Sequence, residues 1–97
     1  MGVCVTVIDD GRPSYLAQAM AGLTEHFPKW PMDRFVLVND AGDADYADYL
    51  RNEYPQFDLQ IHHETRRGLA GALRSAWTAA LDFGTEFIFH QIGRAHV

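Results

Sequence analysis

Three stretches hold the side chains able to do chemistry. Asp9 and Asp10 follow the apolar run Val3 to Ile8, and Asp40 follows the apolar run Phe35 to Val38. If both runs are parallel strands, their carboxyl ends point the same way and the acids converge on one crevice. Carboxylates there can accept hydrogen bonds from a nucleobase or a ribose, and they can equally serve as helix caps. The third stretch is Thr65-Arg66-Arg67-Gly68-Leu69-Ala70-Gly71. Arginines just before a glycine and a helix start can hold phosphate by guanidinium, backbone N–H and helix dipole together. An arginine pair at a turn can also be plain solvated surface.

The histidines form another group. His62, His63 and His90 stand near Glu64, which raises the question of a metal. Adjacent histidines on a strand point to opposite faces, so His62 and His63 do not easily share one ion, and a strand-end or surface role is expected. Trp30 and Trp77 read as loop-cover and core aromatics.

The elements that must position these groups follow one plan of apolar strand, polar turn and amphipathic helix. Val3 to Ile8 is β-branched and apolar, which predicts a central strand. Asp9 to Pro13 breaks it, Ser14 is the expected N-cap, and Leu16, Met20, Leu23 and Phe27 give a helical stripe that Pro28 closes. The run Phe35 to Val38 predicts a strand buried on both faces. Asp43 is the expected cap of a second helix, with Tyr46, Tyr49, Leu50 and Tyr54 toward the sheet and Pro55 at its end. Phe57 to His62 alternates apolar and polar, as a strand nearer an edge does. Leu69, Leu73, Trp77, Ala80 and Leu81 mark a third helix, in which Gly71, Ala72 and Ala76 allow close approach and Gly84 provides the stop. Phe87-Ile88-Phe89 opens a fourth strand. The order β-α-β-α-β-α-β with short connections predicts an open parallel α/β sheet with right-handed crossovers.

Composition narrows the classes. The chain has 97 residues, is 47% hydrophobic and carries a net charge of −5. Its eight basic residues are scattered, so nucleic acid is not an expected partner. The single Cys4 excludes an internal disulfide and suits a reducing, cytoplasmic compartment. No apolar run approaches the roughly 20 residues of a membrane helix. Met1 to Thr6 formally fits an N-myristoylation pattern, but burial of Val3, Val5 and Val7 in the first strand would hide the acceptor.

The last residues fit nothing before them. Ile92-Gly93-Arg94-Ala95-His96-Val97 is what ATC GGA AGA GCA CAC GTC encodes, which resembles a short-read sequencing adapter read in frame. His90 is therefore the expected last native residue, with 91–97 an adapter-encoded tail and 1–90 an incomplete domain.

In this order the motifs resemble one family. Val5-Thr6-Val7-Ile8-Asp9-Asp10-Gly11-Arg12-Pro13-Ser14-Tyr15-Leu16 is similar to the opening of family 2 glycosyltransferases. Val36-Leu37-Val38-Asn39-Asp40-Ala41-Gly42 resembles their strand ending in Asp-Asp-Gly-Ser, with Asn39 in place of the first acid. Arg67-Gly68-Leu69-Ala70-Gly71-Ala72-Leu73-Arg74 resembles their Gly-Leu-Ala-x-Ala-Arg-Asn helix start, and Glu86 to His90 the strand that runs into their acidic metal motif.

The resemblance implies a Rossmann-like GT-A half, truncated at the fourth strand, that binds a nucleoside-diphosphate sugar. It implies that Asp40 bonds the base and that Asp9, Asp10, Gly11 and Arg12 form a loop against base and ribose. It also implies that Arg67, or Arg66 if the register slips, approaches ribose or diphosphate beside Gly68. The Mn²⁺ or Mg²⁺ of the family is expected for the full-length parent, whose ligand motif should follow His90, as should the acceptor half and the catalytic base. This chain is expected to carry the donor site and no catalytic residue, without transferring sugar to the unidentified acceptor. Two alternatives share the sheet: a response-regulator receiver, with Asp9 and Asp10 as magnesium ligands, and a non-enzymatic nucleotide-binding module. No Gly-x-Gly-x-x-Gly follows the first strand, which disfavours a dinucleotide fold.

Overall fold

A computed structural model describes residues 2–27 and 29–93. The elements run β1 (Val3–Asp9), α1 (Pro13–His26), β2 (Arg34–Asn39), α2 (Ala44–Glu53), β3 (Leu59–His62), α3 (Gly68–Phe83) and β4 (Glu86–Gly93). The four strands form one sheet in the order β3-β2-β1-β4, and every neighbouring pair is parallel. The chain thus steps outward from β1 through β2 to β3, then returns across the sheet to place β4 on the other side of β1. Of the expected tail 91–97, residues 91–93 belong to β4, and 94–97 lie outside the described residues. Pairing of β4 with β1 passes from Phe89↔Thr6 to Gln91↔Val7, so it skips His90, where the sequence reading set its boundary.

Period-two alternation along the strands sorts the core into two layers. Val5, Val7, Phe35 and Leu37 pack with Leu16, Met20 and Leu23 of α1 and Leu50 of α2. Cys4, Ile8, Val36 and Val38 face the other way, onto Ala72, Ala76, Ala79 and Ala80 of α3. Crossovers of one hand require this division, because the β3–α3–β4 connection steps across the sheet in the direction opposite to the two before it. β1 and β2 are buried on both faces, as their apolar runs predict, and β3 is the expected edge strand.

Several expectations are corrected. Helix α1 begins at Pro13, with Arg12 as N-cap, so Ser14 lies inside the first turn. Proline suits that first position, because its missing N–H would have had no helical partner. β3 starts at Leu59; Phe57 is buried in the turn before it. On α2, Leu50 and Tyr54 are buried but Tyr49 is exposed. On α3, Ala72, Ala76 and Ala80 lie on the sheet as expected, joined by Ala79 and the partly buried Leu73, but Trp77 is 61% and Leu81 70% exposed, so neither belongs to the buried face. Small side chains let the helix lie close on the parallel sheet. Trp30 is 66% exposed.

Other features are as expected. Asp43 caps α2, accepting at Oδ1 from the N–H groups of Asp45 (2.9 Å) and Tyr46 (3.2 Å). Gly84 ends α3 in the left-handed conformation, φ 69°. Pro28, the expected stop of α1, lies outside the described residues. Gly2 is buried so tightly that a Cβ would stand 2.0 Å from the Met32 carbonyl oxygen, which fits a start packed into the sheet rather than presented for acylation. Among the described residues no helix is long and apolar enough to cross a membrane.

Candidate functional site

The four acids that tie the strand ends divide by edge. At the amino edge, Asp33 Oδ1 accepts from Val3 N–H and Oδ2 from Trp30 N–H, both at 2.9 Å. Those two N–H groups hold its carboxyl below the usual range, helped less by the charges of Lys29 and Arg34. Asp58 Oδ2 likewise accepts from Phe35 N–H at 2.7 Å. These acids fix where β1 and β2 begin, and reading of the sequence gave neither a role.

At the carboxyl edge, Asp9 closes β1. Its Oδ1 accepts from the N–H groups of Gly11 (3.3 Å) and Arg12 (3.2 Å), and its Oδ2 accepts a short hydrogen bond from the Tyr46 hydroxyl. Burial raises the Asp9 carboxyl above its ordinary pKa despite those donors, and burial with the adjacent Asp9 raises the Tyr46 phenol. Asp9 therefore holds the loop and reaches α2; both its oxygens are engaged within the protein. Gly11 has φ +104°, and a Cβ on it would stand 3.2 Å from Ala41 Cβ, so the β1 and β2 loops touch. Gly42, at φ +71°, packs in turn against the Arg66 backbone nitrogen.

Asp40 is 4% exposed and joins three elements. Its Oδ1 lies 2.8 Å from His63 Nδ1 and accepts from Arg67 N–H at 2.7 Å, and its Oδ2 accepts from Gly68 N–H at 2.8 Å. The carboxylate thus caps α3 from the neighbouring strand. Burial alone would raise its pKa; the Arg67 N–H, His63 and Gly68 N–H outweigh that and hold it below the usual range. The cap reading that the sequence left open is what these contacts describe, with one lone pair of Oδ2 still unoccupied by a protein donor among the described residues. Asn39 makes its own local bonds, from Nδ2 to His62 Nδ1 (3.0 Å) and from Ala41 N–H to Oδ1 (3.0 Å).

Asp10, Asp40, Arg66 and Gly68 line one cleft of about 150 Å³, whose floor is Ile8, Leu69 and Ala72. It sits at the carboxyl ends of the strands and the amino end of α3, near the point where the chain reverses direction across the sheet. Ligands of open α/β sheets bind at such points. Asp10 Oδ1 is buried there without a hydrogen-bond donor, and its nearest cation is Arg12 Nε at 3.7 Å. Arg66 reaches across the cleft mouth and donates from Nη2 to the Asp10 carbonyl at 3.1 Å. Gly11 and Arg12 flank the cleft without lining it.

Arg67 does not bring its side chain to this cleft. Its Cβ, Cγ and Cδ lie over Gly71, where an added Cβ would come within 2.6 Å, and it lines a separate groove between β3 and α3. Arg67 enters the site through its backbone N–H alone. Adjacent residues of the turn diverge, so Arg66 takes the position foreseen for either.

His62 and His63 have different partners, as their spacing predicts. His62 bonds Asn39 and Gln60. Burial lowers the His62 pKa, and the Arg51 charge lowers it further. His63 is not at the surface: it is 5% exposed and lies between Asp40 and Ser75 Oγ, the latter 2.8 Å from Nε2. Ser75 drew no attention in the sequence, because nothing local marks a serine in the middle of a helix. Among the described residues no group of three or more His, Cys, Asp or Glu is placed to hold a metal ion. Set against known protein families, curated proteins and solved structures, the chain finds no match in any of the three.

Proposed function

We propose that this chain is the donor-binding part of a family 2-like glycosyltransferase, with a GT-A type half-sheet that holds a nucleoside-diphosphate sugar. The observation that carries the reading is the convergence of Asp10, Asp40 and Arg66 on one cleft at the start of α3. The division of chemistry is simple. Two carboxylates can only accept, so they suit the N–H and O–H groups of a base and a ribose. Arg66 and the amino end of α3 suit the diphosphate. The motif order that resembles the family supports the same assignment.

Within this reading Asp9 is a positioning residue, because Gly11, Arg12 and Tyr46 already occupy its oxygens. That engagement also removes it as a magnesium ligand of a receiver. Among the described residues no set of three or more His, Cys, Asp or Glu is fitted to a divalent cation. The parent protein's transfer to an acceptor, and its use of Mn²⁺ or Mg²⁺, belong to this proposal and rest on the resemblance.

The test is calorimetric titration of the chain with uridine and guanosine diphosphates. Arg66→Ala and Asp10→Asn are expected to weaken binding about tenfold each, roughly 1.4 kcal/mol for a charge-assisted contact. Arg67→Ala is expected to leave affinity unchanged, since its side chain lies in the other groove. Loss of binding in Arg67→Ala with none in Arg66→Ala would overturn the assignment, as would no binding of either nucleotide at millimolar concentration.

A further inference from the structure

The groove that Arg67 lines has a second feature. It measures about 320 Å³ and runs between Leu59 and Ile61 of β3 and Arg67, Arg74, Ser75 and Thr78 of α3. Ser75 is half-buried on its wall and bonds, through His63, to Asp40. We propose that Ser75, His63 and Asp40 form a nucleophilic relay opening on this groove, and that the chain hydrolyses small esters carrying an anionic group.

The protonation pattern follows from the contacts. Asp40 is ionised at neutral pH and can only accept, so His63 Nδ1 carries the hydrogen that points at it. With Nδ1 donating to Asp40, Nε2 is the ring nitrogen left to accept from the Ser75 hydroxyl, 2.8 Å away. Both separations fall in the range required of a nucleophile, its base and the group that orients the base. Burial matches the roles: Asp40 and His63 are shielded from water, whereas Ser75 stands where the protein meets the groove.

The step balances with water as the only co-reactant. Ser75 Oγ attacks the acyl carbon and forms a C–O bond while its proton passes to His63 Nε2. The ester's C–O bond breaks, and the leaving alcohol takes that proton. Water then attacks the acyl-serine, giving one proton to His63, and as the Ser75 Oγ–acyl bond breaks that proton returns to Oγ and the carboxylic acid leaves. Backbone N–H groups around Ser75 lie in mid-helix and already bond within α3, so charge on the tetrahedral oxygen falls to Arg67 and Arg74. The same guanidiniums favour an ester with a carboxylate or phosphate substituent, while Asp82 at the groove's far end sets a limit on its length.

The experiment treats the full chain with diisopropyl fluorophosphate and maps the adduct by mass spectrometry, alongside hydrolysis of 4-nitrophenyl succinate. One adduct is expected, on Ser75. His63→Gln should slow labelling and hydrolysis by about 10²-fold or more. Ser75→Ala, which raises helix propensity and so should fold, is expected to remove both while nucleotide binding stays intact. Arg74→Ala should cut hydrolysis of the succinate ester about tenfold against the neutral 4-nitrophenyl acetate. No adduct on Ser75 in a folded chain would overturn the proposal. So would ester hydrolysis that persists unchanged in Ser75→Ala.

Discussion

Asp40 and Asp43 each sit at a helix amino terminus, and replacing each by asparagine separates their roles. Asp43 makes both its bonds through Oδ1, so an asparagine oxygen can replace it and Asp43→Asn should cost only the charge at the α2 terminus, under about 1 kcal/mol. Asp40 uses both oxygens. Even with its oxygen kept toward His63 and Arg67, Asp40→Asn turns an NH₂ onto the Gly68 N–H, so a donor faces a donor. The variant loses one hydrogen bond to a charged group, about 1.5–3 kcal/mol. It also loses the charge at the α3 terminus, about 0.3–1 kcal/mol. The expected cost is therefore about 2–4 kcal/mol, a large part of the ~5–15 kcal/mol that holds a domain of this size. Urea unfolding followed by circular dichroism, with both variants run beside the parent chain, measures it. If the two substitutions cost the same within about 0.5 kcal/mol, the two-oxygen cap is not what anchors α3.

Further outcomes follow from the same structure. Gly2→Ala places a methyl against the Met32 carbonyl and should lower stability by about 1–3 kcal/mol in the same unfolding assay. Ala76→Leu inserts bulk between α3 and the sheet and should cost a similar amount, whereas Leu81→Lys on the outer face should change stability by less than about 0.5 kcal/mol. The pH dependence has two signs. Asp33 and Asp40 have lowered folded pKa values, so their contribution is present above about pH 4 and lost as pH falls through that range. Asp9 is raised, so its protonation on the way down from neutral favours the folded state. Urea midpoints should thus hold or rise slightly toward about pH 5 and drop below about pH 4, and the drop should shrink in Asp40→Asn.

Much of the fold was legible because the chain repeats one pattern strongly. Continuous β-branched runs at Val3 and Phe35 can only be central strands, and the strand-helix order leaves few topologies for them. The small residues Ala72, Ala76 and Ala80 of α3 meet the sheet as expected, but the large ones on the expected stripe were misplaced for a physical reason. Leu69, Trp77 and Leu81 dominate by size, yet close packing on a parallel sheet favours the alanine row, which has the same helical spacing. For the site, strand-end acids predicted the right edge but not the partition of roles. Whether Arg66 or Arg67 enters the cleft depends on the backbone of one turn, where Arg67 is helical at φ −105° and ψ −8°. The bond from His63 to Ser75 spans the turn and two helical turns of α3, a register that no local motif encodes.

The central claim is that a nucleoside diphosphate binds at the carboxyl edge of the sheet. A ¹H–¹⁵N correlation spectrum of the labelled chain, titrated with uridine and guanosine diphosphates, tests it most directly. The account predicts saturable shifts in the backbone amides of Asp10, Gly11, Arg66, Gly68 and Leu69. An unchanged spectrum, or shifts confined to Leu59, Thr78 and Asp82 along the other groove, would contradict it.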